Sequence, residues 1–329
     1  MAVSRKPKRP ELIANAVRDA ILDRDPTGQH IAVAYSGGRD SSVLLHAAQA
    51  ARQYQTCHLS AIHVHHGLHP AADAWAEHCA TVCASYDIPL EVMRVRVRQR
   101  SGKGLEGAAR DARYRALATS PAQRVLLAHH ADDQAETVLL NLFRGSGVLG
   151  LAAMPVINGR FERPLLSFRR SDIEAYADAY RLRWCDDPSN AETAQTRNWL
   201  RNELLPGCTT HFPALAETLT ALAGRMAETD HLLQCLADVD AGGLAITFPF
   251  PTAPLKRLDN ARATNLLHSL LRRNGLQTPA ASRLQEFARQ LKTSRPDRHP
   301  ELRIGQWVLR YRQRHLHLEL FAKGRQGLR

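Results

Sequence analysis

The sequence predicts an α/β protein: a parallel sheet with helices on both faces, then a long helical linker and a small basic α+β module. Three observations carry that expectation. From residue 11 to about 165 helical and strand patterns alternate, as β-α-β crossovers require. The apolar run Ile31 to Tyr35 stops at Ser36-Gly37-Gly38, and a helical pattern resumes within three residues, so a buried strand feeds a helix through a glycine turn. Residues 240–329 hold 17 Lys+Arg against 6 Asp+Glu, which places +11 of the chain's +12 in its last quarter.

Taken in order, the patterns are helix 11–24, strand 31–35, helix 41–53, strand 59–64, helix 72–86, strand 90–97, helix 105–119, strand 124–129 and helix 132–144. Beyond Pro206 strand alternation ceases, and 212–238 reads as one long helix. Gly242-Gly243 and Pro249, Pro251 and Pro254 mark a boundary, followed by helices 259–274 and 280–292 and short strands at 302–304, 306–311 and 315–320. The expected domains are therefore 1–211, a helical linker 212–239, and 240–329.

At 329 residues, 44% hydrophobic and 23% charged, the chain has material for two or three cores. Residues 1–10 are basic but lack the apolar segment of a signal peptide, and no stretch approaches the ~18 apolar residues of a membrane span. The expected location is the cytoplasm, with no membrane partner; a homodimer is left open. Six scattered cysteines contain no C-x-x-C, and Cys79 and Cys83, four apart on a helix, read as small buried hydrophobes. That spacing offers nothing obvious for sulfur insertion.

The glycine turn is the first candidate site. Glycines let a ligand approach the backbone, and the free N–H groups and dipole of the following helix favour an anion, so Ser36, Gly37, Gly38, Arg39, Asp40 and Ser41 are expected to hold phosphate. Neither G-x-x-x-x-G-K-[ST] nor G-x-G-x-x-G is present there. S-G-G-R-D-S instead resembles the S-G-G-x-D-S loop of the N-type ATP pyrophosphatases, which implies cleavage of ATP between its α and β phosphates and transfer of AMP to a substrate oxygen.

In a parallel sheet the other informative residues lie just after each strand. His63-Val64-His65-His66, with His63 and His65 taken to face opposite sides of their strand, reads as a lining of the nucleotide pocket rather than a metal site. Arg110 and Arg113 share a helical face and suit an anionic group, while Glu106, four before Arg110, would make the same face an ion-paired surface. After the fourth strand, His129-His130-Ala131-Asp132-Asp133-Gln134-Ala135-Glu136 crowds three carboxylates and two histidines onto a strand-to-helix junction. Acidic residues complement a helix dipole, but the histidines at the strand end point to a site for a cationic substrate or magnesium.

Together with H-V-H-H-G-L, G-L-E-G-A-A-R-D-A-R-Y, Arg163-Pro164-Leu165-Leu166, Asp187-Pro188-Ser189-Asn190 and the run Thr196 to Pro206, these blocks resemble the bacterial tRNA(Ile)-lysidine synthetases over residues 31–206. The resemblance implies an adenine nucleotide alpha-hydrolase-like, Rossmann-like fold, and ATP-dependent ligation of free L-lysine to C2 of the wobble cytidine in a tRNA(Ile) with a CAU anticodon. It implies ATP and Mg2+ as cofactors, with Asp40 toward magnesium and His130, Asp133 and Glu136 in catalysis. Asp132, Arg110, Arg113, Arg197 and Arg201 are then expected to bind lysine or tRNA. An attacking ε-amine must lose a proton, and His130 or Asp133 could accept it. The basic module fits RNA phosphates and resembles the first C-terminal domain of that family, so a shorter architecture than that of members with a further domain is expected. A small-molecule amidating synthetase, a tRNA thiolase and a non-catalytic RNA-binding protein are the alternatives.

Overall fold

The computed structural model describes residues 9–22, 28–54, 57–97, 104–186, 196–293 and 299–321, without the side chain of Glu106. Asp187-Pro188-Ser189-Asn190 and the loop 98–103 lie outside the described residues. Two compact units are present, Met1–Ala227 and Glu228–Arg329.

The first unit begins with α1 (Arg9–Leu22), whose Ile13, Val17 and Ile21 recur every four residues and are all buried. Then come β1 (His30–Ala34), α2 (Arg39–Ala51), β2 (His58–His65), α3 (Ala72–Ser85), β3 (Leu90–Arg94), α4 (Gly104–Thr119), β4 (Arg124–Leu126) and α5 (Ala131–Phe143). The alternation is as the sequence predicts, although β4 stops earlier than expected. Leu127 still donates to the Glu162 carbonyl, and the chain then leaves the ladder to deliver His129 and His130.

Two strands escape the sequence pattern: β5 (Ile157–Asn158) and β6 (Phe161–Glu162), each two residues long, after the short α6 (Val148–Leu151). Two residues carry no period. They are nevertheless sheet, because β6 pairs parallel with β4, and Arg124 reaches across to a buried ion pair with Glu162. The order β3-β2-β1-β4-β6-β5 is parallel throughout except for β5. Strand order reverses between β1 and β4, so the ligand crevice of such a sheet falls at their carboxyl ends.

Both faces of β1 are covered, which is why Ile31 to Ala34 is uniformly apolar. Ile31, Val33 and Tyr35 pack in one cluster with residues of α1, α2 and α3, including Cys79 and Cys83. Ala32 belongs to the opposite cluster with Ile62, Val125 and Leu117 of α4. The unit continues through α7 (Arg170–Ala179), α8 (Thr196–Trp199), a π-helical turn over Leu200–Leu204 and α9 (Leu205–His211) into α10 (Leu215–Ala241). Ala216, Leu219 and Ala223 of α10 cover Ala135 and Val138 of α5.

The division between units falls within α10. The second unit adds β7 (Phe250–Pro251), α11 (Ala253–Arg257), α12 (Asn260–Arg273), α13 (Ala281–Thr293), β8 (Glu301–Ile304), β9 (Trp307–Arg312) and β10 (His315–Leu320). Asp259 caps α12 by accepting the Arg262 N–H at 2.9 Å. Its antiparallel sheet runs β7-β10-β9-β8, and Leu302, Leu309 and Leu316 pack with Leu266, Leu270 and Phe287 of the helices. Among the described residues no helix is long and apolar enough to cross a membrane.

Candidate active site

The Ser36–Gly38 turn is held by its own hydroxyls. Ser41 Oγ donates to the Gly38 carbonyl at 2.9 Å and accepts from the Ser36 N–H and hydroxyl at 3.2 and 3.0 Å. Ser36 Oγ in turn accepts the Gly38 N–H at 3.3 Å. Gly37 sits at φ +85°, and Gly38 begins α2 with no side-chain cap, so the helix start is dressed for an anion rather than closed by its own chain.

Asp40 and Arg39 flank this turn. Arg39 pairs with Glu174 of α7 at 2.8 Å, and Asp40 Oδ1 is buried with no hydrogen-bond partner. A carboxylate oxygen that accepts no hydrogen bond, 3.6 Å from Arg39 Nε and beside a phosphate loop, fits magnesium, which is commonly held by one or two carboxylates together with substrate phosphates. Among the described residues no three metal-ligating side chains gather into a protein-only metal site.

Across the crevice from Asp40 stands α5. His130, 2% exposed, lies 3.6 Å from Asp40, from Asp132 and from Asp133. Burial opposes its charge, but Asp133, Asp132 and Asp40 together raise its pKa to about 10. The three carboxylates thus favour the imidazolium form of His130. Asp133 is a poor acceptor: burial works against its charge, but His130 and Arg197 hold it far below the ordinary carboxylate range.

The Asp133 and Glu136 carboxylates are one helical turn apart, as expected, and both are engaged. Glu136 accepts Arg197 Nε and Arg201 Nε at 2.6 Å each, and Asp133 Oδ1 accepts from the same two guanidiniums at 3.3 and 3.0 Å. Arg197 and Arg201 sit four apart on α8 and the π-helical turn, a distortion common at functional sites. Two carboxylates and two guanidiniums thereby form a closed, charge-neutral lattice. Asp132 stands apart from it, one oxygen accepting the Arg170 N–H at 2.7 Å.

The sequence placed His129 in this cluster but gave it no role of its own. Its neighbour faces Asp40, whereas His129 lies near Asp133 and also near Arg113, Arg163 and Arg110, and its Nδ1 is buried without a partner. Burial, with those guanidiniums, pushes it down to about 3, so it is the neutral imidazole of the site. Two consecutive histidines leaving a strand were the available signal, since adjacent side chains diverge. His66 has the same character: burial and Arg113 lower it to about 4, and its Nδ1 is also unpaired. Arg110 and Arg113 lie over the Tyr114 ring at 5.3 and 5.7 Å. Burial, against one another and Arg197, lowers Arg113, and no carboxylate pairs with it among the described residues. His63 and His65, two apart in β2, share a strand face with ring centroids 6.5 Å apart, correcting the opposed orientation expected from sequence. His63 Nδ1 is 3.0 Å from the Tyr35 carbonyl and holds the strand end that precedes the phosphate turn.

These shifts set a pH profile. A folded pKa depressed from 6.5 to about 3 means that His129 adds stability above pH 6.5 that is lost as pH falls toward 3. His130 acts oppositely: its contribution is complete below pH 6.5 and lost as pH rises through 10. The urea midpoint should therefore fall on both sides of neutrality, each proton contributing about 1.4 kcal/mol per pH unit. His129→Asn should flatten the acid limb and leave the alkaline limb; an unchanged acid limb would remove His129 as its source.

The chain's relatives can now be set against this geometry. Residues 11–208 match the PP-loop domain, and residues 250–317 match the TilS substrate binding domain. A tRNA(Ile)-lysidine synthase of Methylococcus capsulatus is 40% identical over 300 residues, covering 88% of this chain and 68% of that one. The chain belongs to the tRNA(Ile)-lysidine synthase family. Family members from Alkalilimnicola ehrlichii and Nitrosomonas europaea are 46% and 39% identical over 86% and 83% of this chain, which spans 65% and 61% of their respective lengths. The backbone is also similar to that of the U34-tRNA thiolase NcsA from Methanococcus maripaludis, with its [4Fe-4S] cluster, at TM-score 0.55 and 16% identity over 67% of this chain and 80% of that one. That likeness is one of fold.

Proposed function

We propose that this chain, in the cytoplasm, ligates the ε-amine of free L-lysine to C2 of the wobble cytidine of a tRNA(Ile) with a CAU anticodon, releasing AMP and diphosphate. The observation that carries the reading is the meeting of the phosphate turn and the α5 cluster, Asp40 lying 3.6 Å from His130. One crevice then serves both halves of the reaction. The N–H groups at the start of α2 hold the ATP phosphates while AMP passes to the cytidine O2, making that oxygen a leaving group. Asp40 would hold magnesium, whose charge would offset that of the departing diphosphate. His130, as a fixed imidazolium, faces the same charge from the other side.

Lysine is a zwitterion at its α-carbon, and the Asp133–Glu136–Arg197–Arg201 lattice offers both complements. Carboxylates take the α-ammonium and guanidiniums the α-carboxylate, each by exchange of a partner already present. The ε-amine is thereby directed away from the lattice toward the cytidine, and its proton passes to water, since His129, held at about 3, is no better an acceptor than Asp133. Arg110 and Arg113 are left for RNA phosphate.

The test is nucleoside mass spectrometry of tRNA incubated with the chain, ATP and lysine. Lysidine should form only when all three are present, and Asp40→Asn should lower AMP release by about 100-fold or more while tRNA binding persists. Ammonia-dependent turnover without tRNA would overturn the reading in favour of a small-molecule amidating synthetase.

A further inference from the structure

The second unit carries most of the chain's excess charge, but much of it is cancelled locally. Arg262, Arg272 and Arg273 of α12 close on Asp240, Asp230 and Asp238 of α10. Arg289 pairs with Glu286, while Arg310 and Arg312 share Glu301 and Glu319. An arginine matched in this way contributes little to the field a distant anion meets.

Of the described cations left over, Arg283 donates to the Arg303 carbonyl and Arg303 lies over the Phe321 ring, while four others gather around α11. Lys256 and Arg257 end this five-residue helix, both exposed. At its start, the Thr252 N–H and hydroxyl both donate to the Arg314 carbonyl at 2.9 Å, which ties the β9–β10 turn to the helix. At its far end Lys292 of α13 donates to the Leu258 carbonyl. Lys256 Nζ lies 4.8 Å from the centroid of the Tyr311 ring and donates to its hydroxyl at 3.3 Å, which places the ammonium beside the sheet. Among the described residues none of Lys256, Arg257, Lys292 and Arg314 has a carboxylate partner. The nearby Asp259 is committed to capping α12.

The turn has a second unusual feature. Gln313 and Arg314 link paired Arg312 and His315, and both adopt left-handed backbone, at φ 48° and 64°. A two-residue hairpin of that kind favours Asn-Gly. A long cationic side chain is held instead where a glycine would be less strained.

We propose that Lys256, Arg257, Lys292 and Arg314 form the phosphate-gripping patch of the second unit, contacting the tRNA backbone without reading its bases. This deepens the proposed function and rests on tRNA being the substrate. Phosphates release counterions on binding, so each cation engaged adds about 0.9 to the slope of log affinity against log salt on a duplex. The paired arginines, already matched, should add almost nothing.

The experiment compares three full-length chains by tRNA binding from about 50 to 300 mM salt: wild type, a fourfold Lys256→Gln, Arg257→Gln, Lys292→Gln, Arg314→Gln variant, and an Arg272→Gln, Arg273→Gln control. Thermal melts check folding, and single Arg257→Gln and Arg314→Gln variants serve should the fourfold chain unfold. The patch variant should lose about two to four from the slope and bind at least tenfold more weakly at 150 mM salt, each single variant losing about one, with the control near wild type. A patch slope equal to wild type, or an equal loss in the control, would overturn the proposal. Lysidine formation is scored separately. A lowered patch slope in a chain that makes no lysidine keeps the patch and rejects the substrate reading, while an unchanged slope in a chain that makes lysidine rejects the patch alone.

Discussion

Glu136→Gln is expected to cost the first unit about 3–5 kcal/mol, because it removes one charge from a buried, mutually paired set and leaves two guanidiniums facing an amide. Glu136 is 1% exposed and each of its oxygens accepts one arginine Nε. Glutamine can keep one of those bonds, but its NH2 points a donor at a donor. The melting temperature should fall by about 10 °C, and trypsin should cut sooner at Arg197 and Arg201. In single-turnover assays with labelled ATP the AMP–tRNA species should still form at temperatures where the variant is folded, while its consumption by lysine is lost. Equal loss of both steps would assign the lattice to adenylation, and an unshifted melting temperature would show the network to be no stronger than a surface pair.

Gly37→Val should abolish AMP formation altogether, with a stability loss of about 2–4 kcal/mol. A Cβ at this position would lie 3.0 Å from Cys79 Sγ, in a residue at φ +85°, where a β-branched side chain is strained whatever the space. Gly38 is different. It has ordinary extended backbone, and its Cβ would meet only Ser36 Oγ at 3.4 Å. Gly38→Ala should therefore fold like wild type and lose activity only through the ligand's access to the turn. Shrinking the neighbour in Gly37→Ala, Cys79→Ala separates the two causes at Gly37: relief of contact without recovery of ATP turnover would place the defect in the backbone conformation. Normal AMP release from Gly37→Val would remove the turn from the nucleotide site.

The legible parts of the chain were those in which neighbours in sequence are neighbours in space. Ile31 to Tyr35 announces a strand covered on both faces, and Ser36-Gly37-Gly38 announces its turn, because each property is local. The crevice followed from alternation alone, since parallel strands of one hand bring their carboxyl ends together. Less could be read where the determining partner is remote. Asp133 and Glu136 were visible as a pair of acids, but their tie to Arg197 and Arg201 spans 61 to 68 residues and fills positions that looked open. His129 and His130 are alike in sequence and shifted in opposite directions, because burial and three guanidiniums outweigh Asp133 at the first while three carboxylates outweigh burial at the second. The hairpin of β5 and β6 was hidden by brevity, its sheet membership fixed by β4 and the buried Arg124–Glu162 pair.

The left-handed Gln313–Arg314 turn bears on how this chain can change over generations. At position 314 the substitution that would most relax it, glycine, is also the one that deletes Arg314 from the surface, so drift toward a sturdier hairpin and retention of the cation pull in opposite directions. Screening for heat tolerance alone would select the first. A lineage that must keep hold of a polyanion is held to the second, and its hairpin remains less stable than its sequence neighbourhood could make it.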